Sequence, residues 1–434
     1  MNKRINDILK DADFKEILTK GFSFLLFRLG GTLAGYFFTL FISNKFGEDI
    51  YGLVAIGFSM FLILSVVGRL GLDTNMIKFF SQDTNDQESG IFYKSILKSF
   101  VLSSLLASTI YLFREPIVTD FFKEPKPALI PFLPWVLAAI PLWSVTIISA
   151  SFLRAKKKNN AFALFNNPSR FLFGLVLLII FYSFSQEAMV IFKAHFYAVA
   201  ISAAVSFGLV VYYLKTLQLK TQTNSWFFLK DSLPMMLSSS ILILLGWMDT
   251  LVMGIFETDA NVGIYNVSLK VASLAVFSLQ AINSILAPKI AKSYAEGQTD
   301  YKRLIAFSTK LNFMISGVIV VGIIVFNQFL LGMFGEAFTA GATILFIFCV
   351  GQIINSFSGS VGVILQMIGK QKVYQNFVLA ALVINLMLTF VLTPIYGGVG
   401  AAVSTVISMM FWNIGSAIYL KKQMNIVTYY NIKL

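Results

Sequence analysis

Long apolar runs recur from residue 20 to residue 420, and nothing else in the chain restricts its folding so severely. A run of about 20 apolar residues can cross a bilayer as a helix, because a helix satisfies its own backbone hydrogen bonds where water is absent. Twelve spans are read, at 20–44, 50–70, 91–113, 128–151, 161–184, 188–214, 232–256, 262–288, 305–330, 338–368, 376–394 and 398–420. The longest, 338–368, predicts tilt or extension beyond the hydrocarbon. Of 434 residues, 57% are hydrophobic and only 13% charged, against roughly 45–50% and about 25% in soluble proteins. Soluble enzyme folds are thereby excluded. A transmembrane barrel is disfavoured too, since its strands would alternate polar and apolar residues. The expected fold class is all-α integral membrane.

Lysine and arginine number 34 against 21 acids, an excess of +13. In a membrane protein this reflects the positive-inside rule and contact with anionic headgroups rather than nucleic acid. One side carries the N-terminus, the loops after spans 2, 4, 6, 8 and 10, and the C-terminus. It holds 26 Lys/Arg and 11 Asp/Glu; the other holds 4 Lys/Arg and 9 acids. Both termini are therefore expected in the cytoplasm. One cysteine, Cys349, and one histidine, His195, leave no disulfide framework and no Cys/His metal cluster. No cleavable signal peptide is read, because the first twenty residues are highly charged. Ile5, Ile8, Leu9, Ala12, Phe14, Ile17 and Leu18 are spaced as on an amphipathic surface helix, and a solvated tail fits the segment equally well.

The expected organisation is an N-terminal cytoplasmic segment (1–19), an N-lobe of spans 1–6 (20–214), a linker (215–231), a C-lobe of spans 7–12 (232–420) and a cytoplasmic tail (421–434). No connecting loop exceeds about twenty residues, which leaves no room for an extramembrane catalytic domain. Two matches support a duplicated six-span unit. Phe46-Gly-Glu-Asp49-Ile-Tyr-Gly52-Leu after span 1 corresponds to Phe256-Glu-Thr-Asp259-Ala-Asn-Val-Gly263-Ile-Tyr265 after span 7, at an offset of 210–211. Leu153-Arg-Ala-Lys-Lys-Lys158 after span 4 corresponds to Leu365-Gln-Met-Ile-Gly-Lys370 after span 10, at 212. Each match is weak alone, and the constant offset gives them weight. An even number of spans per unit relates the copies by an axis along the membrane normal, the arrangement in which transporters place a substrate path between bundles.

An ionisable residue at mid-bilayer costs roughly 2.5–3.5 kcal/mol, so each must pair, snorkel or face water. Arg28 in span 1, Arg170 in span 5 after Asn166-Asn167-Pro168, and Lys270 in span 8 lie deep. Lys193 lies near a span end, where snorkelling suffices. His195 is read as a packed histidine, with a proton relay as the alternative. Asp249 is a counter-ion for Lys270 or Arg28, an interfacial acid, or a coupling site. The deep cations come from both halves and suit an anionic headgroup, which arginine grips with parallel hydrogen bonds. Arg69 and Asp73, spaced i,i+4, with Lys78, form either a cytoplasmic gate or a headgroup-facing helix end. No GxxxxGK[ST], HExxH or GxSxG motif with triad partners occurs. No cofactor is called for beyond H+ or Na+ as a coupling ion.

The glycine-rich first span, Phe46 to Gly52, Arg69-Leu-Gly-Leu-Asp73 closing span 2, Leu153-Arg-Ala with lysines closing span 4, and Pro288 before Tyr294-Ala-Glu-Gly297 form an ordered set. The chain resembles, over nearly its whole length, the polysaccharide-biosynthesis flippases (the O-antigen and teichuronic-acid type transporters) of the multidrug/oligosaccharidyl-lipid/polysaccharide exporter superfamily. That resemblance implies two six-helix lobes in a V and a place in the bacterial inner membrane. It also implies export of an undecaprenyl-pyrophosphate-linked oligosaccharide for surface polysaccharide such as lipopolysaccharide O-antigen. Polysaccharide polymerase and glycosyltransferases would be partners, and Arg28 and Lys270 would match the superfamily's cationic cavity positions. Twelve spans rather than fourteen disfavour the lipid II branch, and the lack of a carboxylate in span 1 disfavours the drug–cation branch. Two other readings are kept: a cation-coupled exporter of small amphiphiles using Asp249, and a membrane-embedded glycosyltransferase or ligase.

Overall fold

Backbone groups in hydrocarbon must bond within their own segment, and the computed structural model meets this with helices joined by short turns. It describes residues 12–82, 88–215, 217–297 and 300–430, and no strand occurs among them. The helices are α1 (Ala12–Arg69), α2 (Leu72–Phe80), α3 (Ser89–Leu112), α4 (Leu133–Ala155), α5 (Asn159–Phe165), α6 (Pro168–Phe184) and α7 (Met189–Leu214), then α8 (Ser225–Phe256), α9 (Asp259–Ala272), α10 (Val276–Ala295), α11 (Asp300–Val325), α12 (Ala342–Ser358), α13 (Val361–Met367) and α14 (Gln371–Met424).

Eight helices or continuous helical stretches are long and apolar enough to cross a membrane, and two further pairs, α5 with α6 and the two parts of α8, are bent spans. α1 and α14 each make two passes, because the first turns at Gly47 (φ 79°) and the second at Gly397 (φ 58°). Left-handed backbone of this kind costs glycine little and other residues more. Divided at these glycines, the described residues hold twelve apolar passes, in line with the twelve runs of the sequence. The bend of 54° between α5 and α6 falls at Asn166-Asn167, just before Pro168.

Three details depart from the sequence reading. The run 338–368 is not one long tilted helix; it breaks at Gly359 (φ 74°) between α12 and α13. α8 begins at Ser225, inside the expected linker, because Asn224 Oδ1 accepts from the N–H groups of Trp226 (2.9 Å) and Phe227 (3.3 Å) and so caps the helix ahead of its apolar run. The tail is partly built in: Ile426 N–H bonds Leu420 O (3.1 Å), Tyr430 N–H bonds Phe357 O (2.9 Å), and Thr309 Oγ1 bonds Thr428 O (2.8 Å). Of the expected amphipathic segment, residues 1–11 lie outside the described residues.

The chain groups into two compact units. The first takes in the chain up to Phe38, Phe61–Arg114 and Ile130–Ser240; the second takes in Thr39–Met60, Glu115–Leu129 and the chain from Ile241. In the first, α4 packs on α2, α3 and α7, and α6 packs on α7. Helices in lipid gain little from hydrophobic sorting, so close contact falls to small residues. Ser103 Oγ meets Ser144 Oγ at 3.0 Å, and Ser99 donates to Gly68 O at 3.0 Å. At one end Phe80 and Phe92 pack on Phe152, with ring centroids 4.8 and 5.3 Å apart. The Glu88 carboxylate accepts from the Thr221 hydroxyl and from Gln222 N (3.0 Å) and Thr223 N (3.2 Å), which holds its pKa below the usual range and ties the linker down. In the second unit, Leu286, Ile290, Ile305, Ile364, Leu365, Leu420 and Ile426 form a buried cluster.

Each unit contains the same turns at the offset found in sequence. Beyond α4, Lys157 is left-handed (φ 59°) and Lys158 N–H bonds Leu153 O at 2.8 Å. Beyond α13, Gly369 is left-handed (φ 78°) and Lys370 N–H bonds Leu365 O at 2.7 Å. α7 ends on left-handed Lys215 (φ 56°), and α14 on left-handed Asn425 (φ 51°), 210 residues later.

Candidate functional site

Four of the polar clusters among the described residues hold an ionisable side chain that bears on function. The first is the crossing of the two copies of the Asp…Gly motif, at helix ends one pass removed from the N-terminus. A Cβ on Gly52 would lie 1.8 Å from Asp259 O, and a Cβ on Gly263 would lie 2.3 Å from Glu48 O. The contact is reciprocal: each copy's glycine lies against the other copy's acidic stretch. Beside it, Lys126 Nζ lies 3.0 Å from Asp259 Oδ1 and donates to Glu257 O. Lys123 N–H bonds Ile255 O at 2.8 Å. The segment 115–129 thus serves the carbonyls that the end of α8 leaves unpaired, with a cation at the negative end of the helix. Lys126 is only 2% exposed, although its sequence context is a polar loop. Removing one partner of a buried pair strands the other charge. Lys126→Met is expected to cost about 1–3 kcal/mol, read as a lower melting temperature of purified protein, while Lys126→Arg keeps most of it.

The second place is Lys270, in the last turn of α9. It is half-buried and donates to Thr39 Oγ1. Thr39 Oγ1 lies 3.5 Å from the Tyr51 hydroxyl, and Tyr51 packs edge-on against Phe338.

The third is Arg170 in α6, buried within the first unit. Its guanidinium lies 4.4 Å from the Phe171 ring centroid, 5.7 Å from Trp143 and 5.9 Å from Phe61. Nε and Nη1 have no hydrogen-bond partner among the described residues. His195 on α7 is buried against the same Phe61 ring, at 4.9 Å between centroids and nearly perpendicular. Aromatic faces stabilise a cation through their quadrupole but leave its N–H groups unsatisfied.

The fourth is Asp249 in α8, 4% exposed. Thr405 Oγ1 donates to its Oδ2 (2.6 Å), Thr389 Oγ1 to its Oδ1 (3.1 Å), and Tyr265 Oη to Oδ2 (3.4 Å). Asn385, one turn before Thr389, is fully buried beside the same carboxylate. A carboxylate ringed by oxygen donors is the set a small hard monovalent cation or a proton would use. No group of three His, Cys, Asp or Glu able to hold a metal occurs among the described residues.

The remaining sequence candidates fall as follows. Arg28 lies on α1, and its side chain lies outside the described residues. Arg69 is buried, donates to Ser65 Oγ (3.3 Å) and lies 3.7 Å from Asp73, while Lys78 is exposed on α2 apart from the pair. Lys193 is half-buried with its ammonium 5.7 Å from the Trp135 ring. Thr39, Asn385, Thr389 and Thr405 carry no functional signal in the sequence, while Tyr51 and Tyr265 stand out only within the repeated motif and Lys126 only as an outer-loop charge. Hydroxyls within apolar runs leave no mark in hydropathy. Only the spacing of Asn385 and Thr389, one turn apart, hints at a shared face.

The described residues form a multi-pass helical protein with buried polar clusters inside each unit. The family model for "Polysaccharide biosynthesis protein" matches residues 17–294, and the MatE model matches 234–391. The chain belongs to the polysaccharide biosynthesis protein family. It is 28% identical over 187 residues to the "Probable low-salt glycan biosynthesis flippase Agl15" of Haloferax volcanii, a match covering 43% of this chain and 40% of that relative. Less than half the length of that relative is thus spanned. Two solved structures share the fold. One is an inward-facing multidrug resistance MATE family transporter of the MOP superfamily (TM-score 0.71, 17% identity, 94% of this chain and 98% of that one). The other is the lipid II flippase MurJ in an inward closed conformation (TM-score 0.74, 14% identity, 94% and 88%).

Proposed function

We propose that the chain flips a polyprenyl-pyrophosphate-linked oligosaccharide, with undecaprenyl as the carrier in a bacterium, from the cytoplasmic to the outer leaflet for surface polysaccharide assembly. The observation that carries the reading is the sign of the deep charges. Arg170 is buried among apolar helices with Nε and Nη1 lacking hydrogen-bond partners among the described residues, and Lys270 donates to Thr39 Oγ1. Such charges raise a positive potential that low-dielectric surroundings screen poorly, and a pyrophosphate is the group it favours. Arg28 and Lys270 contact the headgroup, and Arg170 contributes its field from behind its aromatic wall. The lipid tail stays in the bilayer, and alternation of the units exposes the headgroup on the other side. The Arg69–Asp73 pair serves as the cytoplasmic gate, with both termini on that side. Polymerase and glycosyltransferases act before and after it.

Lys270→Ala and Arg28→Ala are each expected to abolish surface glycan while the protein remains inserted and folded. Glycan staining beside a membrane-fraction immunoblot checks this, and full glycan output from both variants would remove these residues from the mechanism. Asp249 is proposed as the coupling site. Asp249→Asn is expected to leave headgroup binding intact while transport into vesicles loses its response to an imposed Na+ or proton gradient. Altered drug susceptibility with normal surface glycan, on deleting the gene, would instead favour an amphiphile exporter.

A further inference from the structure

Two cavities, one within each unit, lie at corresponding points of the duplicated chain. In the second unit a cavity of about 540 Å³ opens between α12 and the end of α14, with Phe357, Met410, Ile414 and Ile418 as walls and Lys421 and Lys422 at its lip. In the first unit a cavity of about 630 Å³ lies at the end of α7, beside Tyr212, Tyr213 and Lys215. Val211 and Tyr212 precede Lys421 and Lys422 by 210 positions, the same offset that relates the left-handed caps Lys215 and Asn425. Both volumes fall in the range of roughly 300–1,000 Å³ usual for small-molecule sites.

A tyrosine lining each cavity lies against a lysine. Lys421 Nζ donates to Tyr429 Oη at 2.9 Å and lies 5.4 Å from that ring. In the other unit Lys158 Nζ lies 4.7 Å over the Tyr213 ring. Among the described residues no acid lines either cavity. A lysine that merely snorkels would extend freely into the headgroup layer. Lys421 is instead held at the mouth of an apolar slot by a tyrosine that the returning tail positions, since Tyr429 stacks on Phe357 with centroids 6.3 Å apart and Tyr430 N–H bonds Phe357 O.

We propose that the slot between α12 and α14 binds an anionic phospholipid, with an acyl chain along the apolar wall and the phosphate on Lys421 and Lys422. Positive charge at a helix end above an apolar slot, with no acid among the described residues lining it, is complementary to a phosphodiester carrying two acyl chains and to neither a soluble anion nor a neutral lipid. The lipid comes from the leaflet on the C-terminal side. Neither lysine belongs to the clusters assigned to transport, so the proposal stands apart from the flippase reading.

The test is native mass spectrometry of the full chain in detergent, titrated with phosphatidylglycerol or with phosphatidylcholine of the same acyl composition. Phosphatidylglycerol is expected to bind more tightly, and Lys421→Gln and Lys422→Gln each to weaken it about five-fold without changing the melting temperature of the lipid-free protein. Ile418→Trp, which fills the slot from a half-exposed position, is expected to weaken both lipids. Equal binding of the two lipids, or a preference that survives the double lysine variant, would overturn the proposal. Displacement of phosphatidylglycerol by an equimolar polyprenyl phosphate would also overturn it, because the slot would then belong to the carrier lipid.

Discussion

Leucine at Gly52 or Gly263 is expected to abolish transport and to leave the far ends of the helices unable to close. At both positions the atom that a Cβ would strike is backbone, Asp259 O at 1.8 Å and Glu48 O at 2.3 Å, so no neighbouring rotamer can give way. The two segments must part by about an ångström or more, because well-packed contacts cannot absorb such an overlap. Lys126 loses its register with Asp259 at the same time, since Asp259 is the residue pushed away. Overpacking alone costs about 1–3 kcal/mol. A change of about 3 kcal/mol in a two-state equilibrium shifts the populations by more than a hundred-fold. The measurement is thiol accessibility. Ile56 is fully buried and packs on Gly254, so Ile56→Cys in a Cys349→Ser background reports on closure. A membrane-impermeant maleimide applied from outside should label it rapidly with leucine at residue 52 and slowly with glycine there. Unchanged labelling together with unchanged glycan would show that the crossing takes no part in the cycle.

That crossing also marks how far sequence reading reaches. A span needs only about twenty apolar residues in a row, which is a local property, so the twelve passes are legible before any coordinates. The repeated motif is legible as an offset of 210–211, but its meaning is not: nothing in one strand of sequence shows that Gly52 and the Asp259 backbone touch. Lys126 counts among the outer-loop charges in a topology argument, yet it is buried against partners more than 130 positions away. The start of α8 depends on Asn224, a capping residue outside the apolar run, and the break in the 338–368 run depends on one glycine, Gly359. The deep cations were visible by their cost in hydrocarbon. The hydroxyls around Asp249 were not, because threonine and tyrosine enter apolar helices without lowering their hydropathy enough to be seen.

Arg170→Met is expected to raise the melting temperature of the purified protein by several degrees and to abolish surface glycan. A buried guanidinium with unsatisfied N–H groups opposes folding, whereas a methionine of comparable length fills the box formed by Phe61, Trp143 and Phe171 without any polar demand. Replacing buried charge by well-packed apolar groups of similar size commonly stabilises by about 1–4 kcal/mol. One kcal/mol corresponds to about 2–4 °C for a unit of 150–250 residues. The aromatic contacts offset part of that gain, at about 0.5–2 kcal/mol for a desolvated cation over a ring, so the net shift lies toward the lower end. Function moves the opposite way, because the variant removes a full positive charge from hydrocarbon. Arg170→Lys separates the two effects: it keeps the charge but loses the planar stacking on Phe171, so it should retain part of the glycan output and gain no stability. Should methionine instead lower the melting temperature, the guanidinium is a structural element of the first unit. Its retention there would then owe nothing to an acidic substrate.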